Sequence, residues 1–149
     1  MHPIILFDGV CGLCNRFVAR VLRHDHSGIF RFAPLQSELA AAILRRHGRD
    51  ASELSTVVVV LDPGTPSERL LLKARAGLYV LGSLGGIPSL ARPLGWLPTA
   101  WLDWCYDRIA RNRYQIFGKN ETCRLPTAQE RARFLEDADG LAEGIRAGG

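Results

Sequence analysis

The run Thr56-Val57-Val58-Val59-Val60-Leu61 is β-branched or apolar throughout. Such a run predicts a strand, and because neither alternating face is polar, both faces are expected to be buried. A sheet built around it needs a covering layer on each side, and 149 residues are enough to form one domain with a real core.

The flanking segments supply the rest of the sheet. Asp62-Pro63-Gly64-Thr65-Pro66 reads as a turn, and Arg69 to Lys73 as a return strand that completes a hairpin. Near the start, His2 to Phe7 is a short apolar run suited to a buried strand. From Cys14 the spacing becomes helical: Phe17, Val18, Val21 and Leu22 share one face, while Arg16, Arg20 and Arg23 take much of the other. That helix is predicted to end near His26-Ser27-Gly28, before a strand over Ile29 to Phe32 and a turn at Pro34. Gln36 to His47 is rich in Ala and Leu and predicts a helix stopped by Gly48.

Downstream, Ala74 to Leu84 predicts a buried apolar helix broken by Gly85-Gly86-Ile87-Pro88. A further helix is predicted from Ala100 to about Arg113, with Trp101, Leu102, Cys105 and Ile109 as its apolar stripe. Gln115 to Pro126 reads as irregular. Thr127 opens a last helix, with Glu130 completing a capping box.

A Cys-x-x-Cys, Cys11-Gly12-Leu13-Cys14, falls between the first strand and the first helix. With that motif, the element order predicts an α/β, thioredoxin-like three-layer fold: a four-stranded mixed sheet with helices on both faces and a C-terminal helical extension. Residues 1–149 are read as one domain, with a core over about 3–84 and the extension over about 85–149.

Composition narrows the partners. Charged residues are 23% of the chain and the formal charge is +4, too mild and too dispersed for a nucleic-acid module. No signal peptide or membrane span is expected: Ile4-Ile5-Leu6-Phe7 is short and followed by Asp8, and the longest apolar stretch, Leu78 to Ala91, is interrupted by glycines and Pro88. The four cysteines therefore point to a cytoplasmic redox, metal or core role rather than a disulfide framework.

Two thiols at this spacing close into a disulfide and reopen. Only the thiolate attacks, and the free amides and dipole at a helix start favour a negative sulfur. Cys11 falls there and is expected to be the more exposed nucleophile. Cys14, one turn deeper on the same side, is expected to be the resolving thiol. Asp8 has two readings that are compatible: a carboxylate that moves a proton to or from Cys14, and an Asp-Gly turn residue accepting backbone N–H bonds. Zinc is the rival reading of the cysteine pair, but Cys105, Cys123, His24, His26 and His47 form no second close pair. No metal and no cofactor are expected.

The run Asp8-Gly9-Val10-Cys11-Gly12-Leu13-Cys14-Asn15 resembles the signature of the DCC family of thiol–disulfide oxidoreductases, named for its Asp-x-x-Cys-x-x-Cys motif. Phe30-Arg31-Phe32-Ala33-Pro34-Leu35-Gln36-Ser37 is similar to the segment after the first helix in that family. Tyr106-Asp107, Asn112-Arg113-Tyr114, Phe117-Gly118 and Cys123-Arg124-Leu125-Pro126 are similar to its C-terminal block. The resemblance implies a thioredoxin-like fold, dithiol redox activity, a thiol or disulfide partner, and Asp8, Cys11 and Cys14 as the catalytic positions.

Thioredoxins carry a cis-proline before the strand facing their Cys-x-x-Cys; here that position reads Leu54-Ser55-Thr56, so Ser55 and Thr56 are the auxiliary candidates. Cys123, in the polar loop Lys119 to Arg124, is a third candidate redox thiol, and Cys105 is expected to be a small core residue. Arg108, Arg111, Arg113 and Lys119 are read as a solvated face. A non-catalytic partner-binding module, docking through Trp96, Trp101 and Trp104, is the remaining alternative; otherwise these tryptophans cover the core.

Overall fold

The computed structural model describes residues 2–51, 54, 56–85, 96–117 and 133–134. The elements run β1 (Ile4–Phe7), α1 (Gly12–His24), β2 (Arg31–Pro34), α2 (Glu38–Arg46), β3 (Val58–Leu61), β4 (Arg69–Leu72), α3 (Lys73–Ser83) and α4 (Thr99–Phe117). The strands form one mixed sheet in the order β2-β1-β3-β4. β1 pairs parallel with β2 and antiparallel with β3, and β3 pairs antiparallel with β4 across the expected hairpin.

Alternation sorts the sheet into two faces. Ile5, Phe7, Phe32, Val57 and Val59 pack against Val18 and Val21 of α1 and Ala76 and Val80 of α3. Ile4, Leu6, Ala33, Val58 and Val60 pack on the other face against Leu39, Ala40, Ile43 and Leu44 of α2. The valine strand is therefore buried on both faces, as its composition required, and the α/β layering follows. α2 starts where Ser37 Oγ accepts the Ala40 N–H at 3.2 Å, and ends before Gly48, whose φ of +66° suits glycine.

Three boundaries differ from the sequence expectation for identifiable reasons. β2 begins at Arg31, not Ile29, because the Asp25 carboxylate takes the Ile29 and Phe30 amides at 2.9 and 3.0 Å and holds them out of the ladder. Pro34 consequently ends this strand instead of opening a turn. α1 begins at Gly12, before the periodic apolar residues start. α4 continues to Phe117, so Gln115 to Phe117 are helical rather than irregular; residues 118–126 and the expected helix from Thr127 lie outside the described residues.

The expected apolar stripe of α4 is corrected. Trp101 and Ile109 are 54% and 52% exposed, Trp96 and Trp104 are 94% and 63% exposed, and Cys105 is only partly buried. These tryptophans do not cover the core, because α4 rests on α1 and α3 and turns the tryptophan side outward. Arg108 and Arg111 are exposed, as expected of a solvated face.

Glu68 clasps the end of α2 to the hairpin turn. Its buried carboxylate accepts from Arg46 Nη2 at 2.8 Å, His47 Nε2 at 2.9 Å and the Gly64 N–H at 2.7 Å. Burial pushes this carboxyl up, but the Gly64 amide, Arg46 and His47 outweigh it and hold it below its ordinary value of 4.5. The unfolded chain then binds more protons between the two values, so stability rises with pH there. The clasp's contribution is complete above the ordinary value and lost as pH falls through the lower folded one. Glu68→Gln is expected to flatten this part of the stability–pH curve, read from urea midpoints on the acid side.

Candidate functional site

β1 delivers the chain to a tight turn at one end of the sheet. After Phe7, the Asp8 carbonyl accepts the Cys11 N–H at 3.2 Å, and Asp8 Oδ1 accepts the Val10 N–H at 3.2 Å. This is the backbone-accepting role expected of Asp8. Cys11 follows as the N-cap of α1, with φ −85° and ψ 117°, and its carbonyl accepts the first helical bond from the Asn15 N–H at 3.0 Å. Its side chain thus occupies the position from which capping groups reach first-turn amides. No acidic residue stands in the first turn to compete with a thiolate. Cys14 lies one turn further on the same side of the helix.

Both sulfurs are buried, and their order is the reverse of the expected one: Cys11 is 0% exposed and Cys14 4%. The turn folds Cys11 over the end of β1, into the apolar layer that holds Phe7, Phe32 and Val57. Helix depth alone therefore does not rank the two thiols by access.

Two amides clamp the turn. Gln36 Nε2 donates to Asp8 Oδ1 at 3.0 Å, and Gln36 Oε1 accepts the Gly9 N–H at 3.3 Å. Asn15 Nδ2 donates to the Gly9 carbonyl at 2.8 Å. Asp8 itself is only 6% exposed. Gln36 arrives at the site because β2 runs parallel to β1 and the Leu35 N–H bonds the Phe7 carbonyl at 2.8 Å, so both strands end together.

The opposite wall comes from β3 and α4. The register Ile4↔Val60, Leu6↔Val58 points Val57 and Thr56 toward Phe7 and Asp8. Thr56 is buried, and its hydroxyl and the Tyr106 hydroxyl are hydrogen-bonded at 2.6 Å; Tyr106 Oη also accepts the Val57 N–H at 3.4 Å. Lys73 Nζ meets Asp107 at 2.9 Å beside it and tethers the same helix. Tyr106→Phe leaves the Thr56 hydroxyl and Val57 amide without that partner. It is expected to cost about 1–2 kcal/mol in urea unfolding and to speed alkylation of Cys11 by iodoacetamide.

The structure thus brings Asp8, Cys11, Cys14 and Thr56 to one end of the sheet. Ser55 and Cys123 lie outside the described residues, and Arg16 is exposed on α1. Among the described residues, no three His, Cys, Asp or Glu side chains converge as metal ligands, and no helix is long and apolar enough to cross a membrane. Gln36, Asn15 and Tyr106 carry roles that spacing alone did not assign. Their signal was membership of the family-like blocks, which marked the residues without saying what each touches.

Comparison with known proteins agrees with this geometry. Residues 5–119 match the family described as DCC1-like thiol-disulfide oxidoreductase. A DCC family protein of Arabidopsis thaliana, named as chloroplastic, is 39% identical over 125 residues, covering 83% of this chain and 70% of the relative. The uncharacterized protein YuxK of Bacillus subtilis is 33% identical over 134 residues, covering 90% of this chain and 94% of the relative. No solved structure matches the chain at a significant level. A match over residues 5–119 that spans the Asp8–Cys14 turn, the Gln36 clamp and the Tyr106 wall places this chain in the DCC1-like thiol-disulfide oxidoreductase family.

Proposed function

We propose that the chain is an enzyme that exchanges its Cys11–Cys14 dithiol or disulfide with the disulfide or dithiol of a partner. The observation that carries this reading is Cys11 at the N-cap of α1 with Cys14 one turn behind it, in a chain of this family. Cys11 is the attacking sulfur, because a thiolate at the N-cap meets the free amides of the first turn. Cys14 is the resolving sulfur: its thiolate attacks Cys11 Sγ in the mixed disulfide and releases the partner. Asp8, buried beside the turn and oriented by Gln36, accepts the Cys14 proton as that attack proceeds. Thr56 frames the opposite side, with Ser55 and Cys123 as further auxiliary candidates. Because both sulfurs are covered, exchange requires a local opening of the site.

The proposed setting is the cytoplasm, with residues 1–149 acting as one domain and no cofactor. Thiol counting against a glutathione redox series tests the reading. Two thiols are expected to disappear together at one midpoint potential. Retention of both thiols at every poise, or loss of one alone, overturns it.

A further inference from the structure

Alongside the cysteine pair runs a groove of about 560 Å³ whose described wall is Leu13, Arg16, Phe17, Ala19, Arg20 and Arg23. Leu13 sits between the two cysteines in the chain, so the groove starts at the redox turn. Its volume falls within the range of about 300–1,000 Å³ typical of small-molecule sites. Arg16, Arg20 and Arg23 recur at i, i+4 and i+7, which puts three guanidinium groups along one side of α1 over roughly 10 Å. Leu13 and Phe17 are packed partly into the core cluster that contains Cys11 and Cys14, and supply an apolar floor. None of the described lining residues is a carboxylate.

A second approach to the site, across the leading end of β3, is occupied. The Thr56 hydroxyl and the Val57 N–H are both engaged by Tyr106 Oη. A polypeptide that docked by pairing its backbone there would first have to displace Tyr106. The groove on α1 makes no such demand, and a small molecule needs a smaller opening than a folded partner to reach sulfurs that are 0% and 4% exposed.

We infer that the substrate of the proposed exchange is a low-molecular-weight disulfide bearing carboxylates, held along α1 by Arg20 and Arg23; this rests on the reading of Cys11 and Cys14 as the redox pair. The Cys11 thiolate attacks one sulfur of the substrate, forming a protein–substrate disulfide and expelling one substrate thiolate. The Cys14 thiolate then attacks Cys11 Sγ and expels the second. The two cysteines together lose two electrons and two protons, and one substrate disulfide becomes two thiols. The arginines take no part in the electron transfer. They bind the carboxylates and orient the sulfur–sulfur bond toward the helix start.

The test uses two disulfide probes on the reduced, full-length protein: oxidised glutathione, which carries four carboxylates, and uncharged hydroxyethyl disulfide. Oxidation of the pair is followed by timed thiol counting. In the Arg20→Gln, Arg23→Gln double variant, the ratio of the glutathione rate to the hydroxyethyl disulfide rate is expected to fall about tenfold. The hydroxyethyl disulfide rate itself is expected to stay within about twofold, and the wild-type glutathione rate to fall with added salt. Taking a ratio removes any effect of the arginines on thiolate reactivity, since that acts on both probes alike. Both residues are exposed, so the fold is expected to survive, with circular dichroism as the check. An unchanged ratio, with both probes still oxidising the pair, overturns the arginine groove and leaves the redox reading standing. If neither probe oxidises wild-type protein, both readings fall.

Discussion

Cys14→Ser protein exposed to a disulfide is expected to stop at the mixed disulfide, with one substrate half carried on Cys11. The geometry makes the two serine variants unequal. Cys11 is the N-cap of α1, where a thiolate gains from the first-turn amides, whereas Cys14 lies inside the helix and acts by returning on Cys11. Cys14→Ser therefore keeps the first step and loses the second. Cys11→Ser loses the first, and turnover is expected to fall by a factor on the order of 10³ or more. Mass spectrometry of the intact protein reads both results: an adduct of one substrate half on Cys14→Ser, and none on Cys11→Ser. The burial of both sulfurs adds a kinetic expectation. Adduct formation should level off at high disulfide concentration once opening becomes rate-limiting, because Cys11 is 0% exposed in the closed structure. An adduct on Cys11→Ser with none on Cys14→Ser would reverse the assignment of the two thiols.

The largest stability effect is expected at Asp25. Its side chain is fully buried and carries three jobs: Oδ1 accepts the Ile29 N–H at 2.9 Å, Oδ2 accepts the Phe30 N–H at 3.0 Å, and Oδ2 also pairs with Arg133 Nη2. Arg133 in turn donates to the Phe30 carbonyl, and its own carbonyl accepts the Phe32 N–H at 2.8 Å. Next to it, Phe134 stacks on Phe32 with ring centroids 5.5 Å apart and meets Phe7 edge-on at 6.1 Å. Asp25 thus anchors the start of β2 and a distant part of the chain to one another. Asp25→Ala leaves two amides and a largely buried guanidinium without that partner. Breaking a buried pair in this way costs about 3–5 kcal/mol. Against a total stability of about 5–15 kcal/mol, that is a large fraction. The urea midpoint is expected to fall accordingly with the slope unchanged. Phe134 also packs in the apolar cluster that contains Cys11 and Cys14. The same variant is therefore expected to raise thiol accessibility, whereas the solvent-facing Arg108→Ala is not.

The sequence by itself determined what depends on near neighbours along the chain. The unbroken valine run could only be a strand covered on both sides. Asp62 to Pro66 could only turn the chain back, and a Cys-x-x-Cys ahead of an amphipathic segment put one sulfur at a helix start. Each of these follows from side-chain periodicity or turn chemistry over a few residues, and the structure agrees with each. Tertiary structure decided whatever joins residues far apart. Gln36 reaches Asp8 across 28 positions, Tyr106 reaches Thr56 across 50, and Arg133 reaches Asp25 across 108. No local pattern encodes such contacts, because they exist only once parallel β1–β2 pairing and the packing of α4 have brought those surfaces together. The same holds for access to the thiols. Helix position predicted an exposed Cys11, but exposure depends on which layers close over a turn, and here the clamped turn and the apolar layer above α1 bury both sulfurs.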